Sequence, residues 1–195
     1  MLQAVSDRGL KFSIARRSGM LRRVNRIRLV SRTDADALSQ LLQTHRAFLA
    51  PWEPVRSEDY VTAAGQLADI EAALGRHEQG AAAPFVILDD DGSVAGRVTL
   101  SGIVQGPFQS CSMGYWLAED RTGRGLATQA VAAAVEHAFT TLGLHRVEAA
   151  TLLANTASQG VLARNGFEEF GMAPRYLKIA GEWQDHRMFQ RLAED

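Results

Sequence analysis

Residues 119–130, Glu-Asp-Arg-Thr-Gly-Arg-Gly-Leu-Ala-Thr-Gln-Ala, join a strand-like run, Ser112-Met113-Gly114-Tyr115-Trp116-Leu117, to a long amphipathic helix. This stretch constrains the fold most, because strand, glycine-rich turn and helix start follow in direct succession. That order gathers free backbone N–H groups and the positive end of a helix dipole at one point, which makes an anion site. Two phosphate cradles can be tested against it. A P-loop ends in Gly-Lys-Ser/Thr, and this turn has Gly125-Leu126-Ala127. A dinucleotide fingerprint runs Gly-x-Gly-x-x-Gly/Ala and opens a βαβ unit; here Thr128 stands in its last slot and the turn lies in mid-chain. Both fit poorly. A plain strand-to-helix turn without a ligand stays open.

The rest of the chain alternates strands and helices. Leu126, Ala130, Val131, Ala134, Val135, Ala138 and Leu142 recur at helical spacing, and Gly143 suits a helix stop. Arg146 to Thr151 reads as a strand. Asn155 is placed to cap the next helix, Gly166 to end it, and Phe167 to open a strand. Upstream, a short strand at Ile27–Val30 precedes a helix capped near Thr33/Asp34 and running to about Ala47. A loop with Pro51 and Pro54 follows, then a helix from about Val61 to Glu78. Pro84–Leu88 and Ser93 to about Val104 form a hairpin around Asp89-Asp90-Asp91-Gly92. The last hairpin spans roughly Glu168–Ala180 and Trp183–Leu192. The pattern is α/β or α+β, with antiparallel hairpins in front of a β-α-β-α-β run.

Thr122-Gly123-Arg124-Gly125-Leu126-Ala127 resembles the pyrophosphate loop of the GNAT superfamily of N-acetyltransferases, Q/R-x-x-G-x-G/A. Its small positions match at Gly125 and Ala127; Thr122 departs from the usual Gln or Arg, and Arg121 lies one residue early. Asn155-Thr156-Ala157-Ser158 through Val161-Leu162 to Gly166-Phe167 resembles that family's second motif, N-x-A-S-x-x-V-L-x-x-x-G-F. Phe48–Arg56, with its Trp-Glu-Pro, Gly114-Tyr115-Trp116 and Gly181–His186 are similar to segments of the Rim-type ribosomal-protein alanine N-acetyltransferases. The resemblance covers about residues 26–192. It implies a GNAT fold: a mixed central sheet of about seven strands, splayed in the middle and flanked by about four helices. It also implies a boundary, with residues 1–25 a basic extension and 26–195 the acetyltransferase domain.

The resemblance implies the chemistry too: acetyl transfer from acetyl-CoA to the α-amino group of a protein N-terminus, a ribosomal protein among the candidates. Thr122, Gly123, Arg124, Gly125, Leu126, Ala127 and Thr128 would cradle the pyrophosphate, with Arg124 or Arg121 adding charge. Exposed backbone at Tyr115, Trp116 and Leu117 would pair with the pantetheine arm, the N–H near Leu117 polarising the thioester carbonyl. Asn155 would hold the arm from the other side, or serve only as a helix cap. The helix after it carries no Tyr where many relatives place a general acid, so Ser158 takes the position beside the departing sulfur; its plain alternative is a helix-start serine. For the base, Glu148 comes first, from the strand flanking the splay. Glu53 is second, as base or as the group that grips the ammonium, and Glu119 is a weaker third. An α-amino group needs only modest help, because its pKa is about 7.7–8.0. Trp52, Glu53, Tyr176 and Trp183 would wall the acceptor groove.

Composition bounds the alternatives. The 195 residues suffice for one domain, and Cys111 is the sole cysteine, so an intrachain disulfide is excluded and a reducing cytoplasm is the expected setting. Cys111 reads as a buried small hydrophobe. The five histidines are scattered and no H-E-x-x-H is present, so no metal is expected. No apolar run is long enough for a membrane helix. Net charge is −1, but residues 1–28 carry eight Arg and Lys against Asp7 alone, a local +7. That segment is a solvated tail, a leader upstream of Met20, or an arm touching RNA. Monomer and homodimer both stay open. Two rival functions remain: acetylation of a small amine such as an antibiotic or polyamine, and a catalytically silent acyl-CoA-binding module.

Overall fold

The computed structural model describes residues 26–194, so the reading of residues 1–25 as a basic extension, with its RNA contact, lies outside the described residues. Seven strands are found: β1 (Ile27–Leu29), β2 (Ala82–Leu88), β3 (Val94–Val104), β4 (Ser110–Leu117), β5 (Arg146–Leu152), β6 (Glu168–Ile179) and β7 (Glu182–Leu192). They form one sheet in the order β1-β2-β3-β4-β5-β7-β6. Among the described residues the only parallel neighbours are β4 and β5, joined through a helix as a crossover requires. The helices are α1 (Ala35–Thr44), α2 (Arg46–Leu49), α3 (Ala63–Glu78), α4 (Leu126–Thr140) and α5 (Thr156–Arg164). The sequence suggested about four. The fifth arises because His45, at φ −106° and ψ 18°, splits the helix expected to reach Ala47 into α1 and the single turn α2.

Strand alternation divides the core into two layers. Phe85 and Ile87 of β2, Val98 and Leu100 of β3, and Met113 and Leu117 of β4 face α4, whose buried stripe is Leu126, Ala130, Val131, Ala134, Val135 and Ala138. The alanines let the helix lie close to the sheet. Val86 and the partly buried Trp116 face the other way, toward Leu38 of α1 and Ile70 of α3. On that face Arg97 of β3 is nearly buried, and its charge is met by Asp69 of α3 at 2.6 Å. Gly96 is required where β3 meets β4, because a Cβ there would lie 2.1 Å from the Trp116 carbonyl oxygen.

The sheet is split along its middle. β4 and β5 pair only at Ser110↔Arg146, Cys111↔Val147 and Ser112↔Glu148. Beyond those rungs β4 continues to Leu117 and β5 to Leu152 without each other, although β4 stays paired to β3 and β5 to β7. The gap faces α5. Its far wall is closed by the loop after α2: the Glu53 carbonyl accepts the Ala180 N–H at 3.0 Å, and Val55 packs beside Gly181.

One buried carboxylate ties the β2–β3 turn to the glycine-rich loop. Asp89 accepts two bonds from Arg124, at 2.6 and 2.8 Å, one from Arg121 and one from the Asp90 N–H. Arg124 above all holds the Asp89 carboxyl down to about 2. A group depressed on folding lends stability above its unfolded pKa, about 3.9, and that contribution is lost as pH falls toward 2. Thermal unfolding between pH 5 and 2 should therefore show an acid loss that Asp89→Ala lacks. The variant should be less stable than wild type at pH 7 by about 1–3 kcal/mol, the cost of stripping partners from charged hydrogen bonds.

Candidate functional site

Gly123 and Gly125 adopt φ of 73° and 77°, a region that side-chain-bearing residues rarely enter. These two residues curl the loop into the start of α4. Gly125 is the N-cap of α4 and supplies no side-chain cap; the first backbone bond back from the helix is from the Gln129 N–H to the Gly125 carbonyl. The N–H groups of residues 123–128 thus have no backbone acceptor, and the loop borders a cavity of about 620 Å³. Arg121, Thr122, Gly123, Gly125, Leu126, Ala127 and Thr128 line it. An uncapped helix start aimed into a cavity this size suits a bound phosphate group.

Arg124 is not on that lining. Its guanidinium forks onto Asp89 and reaches Asp90, so it shapes the loop from behind rather than facing an anion. Arg121 lines the cavity while donating to Asp89. The sequence reading missed Arg164, which lines the same cavity beside Thr128. Its signal was helical spacing: Ala157, Val161 and Arg164 stand at i, i+4 and i+7, and all three line the cavity.

The gap between β4 and β5 leaves backbone groups open. The Ala118 N–H bonds to the Ala95 carbonyl of β3, and Ala118 lies one register step beyond the Gly96↔Leu117 pair. Antiparallel alternation then turns the N–H and C=O of Trp116 toward β3 and those of Tyr115 and Leu117 toward the gap. All three residues expected to offer backbone there line the cavity; Tyr115 and Leu117 turn their backbone groups to the gap, and Trp116 does not. Across the gap, the Asn155 Oδ1 accepts the Ser158 N–H at 3.0 Å, capping α5 and leaving its amide donors for a ligand.

Tyr115 also bridges the gap. Its hydroxyl lies 2.7 Å from Ser158 Oγ. Burial pushes this phenol up to about 12, so it stays protonated. Ser158 was expected here; the tyrosine was sought on α5, and the phenol arrives from β4.

A second cavity, of about 460 Å³, lies on the α1–α3 side of the sheet. It shares Leu49, Trp52, Tyr115, Trp116, Asn155 and Ser158 with the first, so the two are halves of one cleft that meet at Tyr115 and Ser158. Glu53 lies in this half, and burial raises its carboxyl against the pull of Arg56 and Arg46. Asp69, the other acid there, is neutralised by Arg97. Glu148, the first base candidate from the sequence, lies outside the cleft. It sits at the last paired rung, where the strands have not yet parted; its carboxylate is 3.6 Å from Arg146, and it lines neither half. Glu119 likewise lines neither half. Trp52 is placed as expected. Tyr176 and Trp183 are exposed and outside both linings, though the Tyr176 ring rests on His186, which is inside. Cys111 is buried, and its thiol is pushed up to about 12 by burial first and Glu148 second, so it offers no nucleophile.

The sequence model described as the acetyltransferase (GNAT) domain matches residues 26–168. The chain belongs to this family. It is an N-acetyltransferase by family, and its relatives put it in the Rim-type group. It is 37% identical over 161 residues to the [ribosomal protein uS5]-alanine N-acetyltransferase of Escherichia coli, covering 82% of this chain and 83% of that one. A crystal structure of ribosomal-protein-S5-alanine acetyltransferase from Vibrio fischeri superposes with TM-score 0.82 at 33% identity, over 87% of this chain and 93% of that one. Mycobacterium smegmatis RimJ in complex with CoA-disulfide gives TM-score 0.82 at 36% identity, over 86% and 81%.

In this GNAT chain the loop fits a pyrophosphate because nothing within it fills the cradle. The nearest atom to a Cβ placed on Gly125 is the end of the Gln129 side chain, at 3.7 Å. A Gly125→Glu substitution would strain the positive φ and put a carboxylate in the anion site. Acetyl-CoA should raise the melting temperature of the wild-type protein and leave that of a folded Gly125→Glu variant unmoved. An equal shift in both would place the pyrophosphate elsewhere.

Proposed function

We propose that this protein transfers the acetyl group of acetyl-CoA to the α-amino group of a protein N-terminus, with a ribosomal protein beginning in alanine as the acceptor. The observation that carries the reading is the two-sided cleft. An anion cradle opens on one face, a pocket holding one unpaired carboxylate opens on the other, and they meet at a hydroxyl pair inside the split sheet. The similarity to the uS5 enzyme supports the choice of acceptor.

The roles follow from placement. N–H groups of residues 123–128 and Arg164 hold the pyrophosphate. Open backbone at Tyr115 and Leu117, with the Asn155 amide, holds the pantetheine arm, and the Leu117 N–H stabilises the carbonyl oxygen as it gains charge. Glu53 receives the acceptor ammonium. Ser158 donates to the departing sulfur, and the Tyr115 phenol, donating to Ser158 Oγ, keeps that hydroxyl directed outward. A phenol near 12 holds its proton more tightly than an ordinary thiol, near 8.5, so the pair stabilises the thiolate by hydrogen bonding and solvent delivers the final proton. Residues 1–25 precede the family match, and the proposal gives them no part in catalysis.

Steady-state assays with alanine- and serine-initiated peptides and with small amines, reading CoA release, test the reading. Preference for small amines over every peptide would sink it. Ser158→Ala should lower kcat about 10–150-fold with cofactor affinity little changed, the equivalent of about 1.5–3 kcal/mol for a charge-assisted bond. Tyr115→Phe loses a neutral bond and should cost less, about 2–10-fold. Glu53→Gln should raise the peptide KM about tenfold or more, whereas Glu148→Gln should run parallel to wild type at every pH.

A further inference from the structure

His186 lies on β7, opposite Leu152 of β5 and Ala173 of β6, and is 3% exposed. Alternation turns it to the same face as Ala150 and Leu152, and it lines the acceptor half of the cleft. Its Nδ1 is 2.9 Å from the Gln184 carbonyl oxygen. A carbonyl oxygen only accepts, so Nδ1 carries the hydrogen and the lone pair of the neutral ring is on Nε2. Nε2 has no hydrogen-bond partner among the described residues. Tyr176, its ring centroid 5.6 Å away at an interplanar angle of 64°, steadies the imidazole from the outer side. The cavity therefore contains a buried imidazole whose tautomer is set by the backbone and whose basic nitrogen is unoccupied.

We propose that His186 Nε2 takes the proton from the acceptor ammonium, as the general base of the reaction proposed above. The inference rests on that reading. It separates two tasks: Glu53 binds the ammonium, and His186 makes it nucleophilic. The charged and titratable groups that line this half of the cleft with His186 are Glu53 and Arg56 of the loop, Tyr60, Arg76 and Asp69 on the α3 side, Arg97 of β3 and Tyr115 of β4, and Tyr176 of β6 touches the ring itself. Arg56 is drawn over the Tyr60 ring at 4.5 Å. The proton balance closes. The ammonium gives one proton to Nε2, and its freed lone pair forms the C–N bond at the thioester carbon. The nitrogen gives its second proton to Glu53, whose raised affinity for a proton suits that step. The C–S bond breaks with its electron pair on sulfur, stabilised by Ser158 and protonated from solvent. Two protons leave nitrogen and one reaches sulfur, so one is released per turnover.

The test is kcat and KM from pH 6 to 9.5 on one alanine-initiated peptide, for wild type, His186→Asn and His186→Ala. Asn keeps a donor for the Gln184 carbonyl and removes Nε2. A base role predicts a kcat/KM loss of about 100-fold or more at pH 6.5, with peptide KM little changed. The loss should narrow as pH rises past the acceptor's own pKa, about 7.7–8.0, where the amine is already neutral. Added imidazole should restore acetyl-peptide formation by His186→Ala. A parallel pH profile, a loss confined to KM, or no rescue in a variant whose acetyl-CoA melting shift is intact would overturn the proposal. If both variants fail to fold, the wild-type protein decides: loss of activity on modification of His186 by diethylpyrocarbonate, prevented by bound peptide, supports it, and retained activity overturns it. Absence of transfer by the unmodified wild type to any peptide would instead remove the proposed function itself.

Discussion

The cleft exists because two parallel strands stop pairing after three rungs. Past Ser112 and Glu148, β4 and β5 keep their outer partners and lose each other. Unpaired strand groups are costly when buried, so a gap in mid-sheet persists only where something else meets them. Here α5 enters the gap, with Asn155 capping its start and the Tyr115–Ser158 bond spanning it. The same gap joins the two sides of the sheet, which lets a ligand held over α4 meet one held over α3. The cleft in this chain is thus a consequence of missing hydrogen bonds rather than of a loop laid on a finished surface.

Electrostatics complete the arrangement by using up charges as well as presenting them. Asp89 holds Arg124 behind the glycine-rich loop and bonds Arg121 at the edge of the cavity, so the loop faces the cavity with backbone N–H groups and the half-engaged Arg121. Asp69 and Arg97 cancel inside the α3-side half of the cleft, leaving Glu53 as its unpaired acid. Among the described residues no group of three or more His, Cys, Asp and Glu gathers as a metal site, and no helix is long and apolar enough to cross a membrane.

The legible and illegible parts of the site divide along one line. Gly123, Gly125 and Asn155 could be read because each acts through local backbone geometry: a positive φ, an uncapped helix start, a cap. Ser158 could be read because it shares a turn with Asn155. The place of Glu148 could not be read, because strand membership does not say at which rung β4 and β5 part. The orientation of Arg124 could not be read, because its partner, Asp89, lies 35 residues away on another turn. Tyr115 was credited for its backbone alone, since only the folded sheet carries its hydroxyl to α5.

The sequence by itself determined the order of strands and helices, the anion-binding turn and the capped helix start, because hydrophobic period, glycine and caps act over a few residues. The tertiary structure alone decided which side chains share the cleft. It set Glu53 in the α3-side half of the cleft and Glu148 outside it, turned Arg124 toward Asp89, and brought Tyr115 to Ser158. Those outcomes rest on contacts between segments tens of residues apart, and such contacts follow from how the layers pack, which no local pattern encodes.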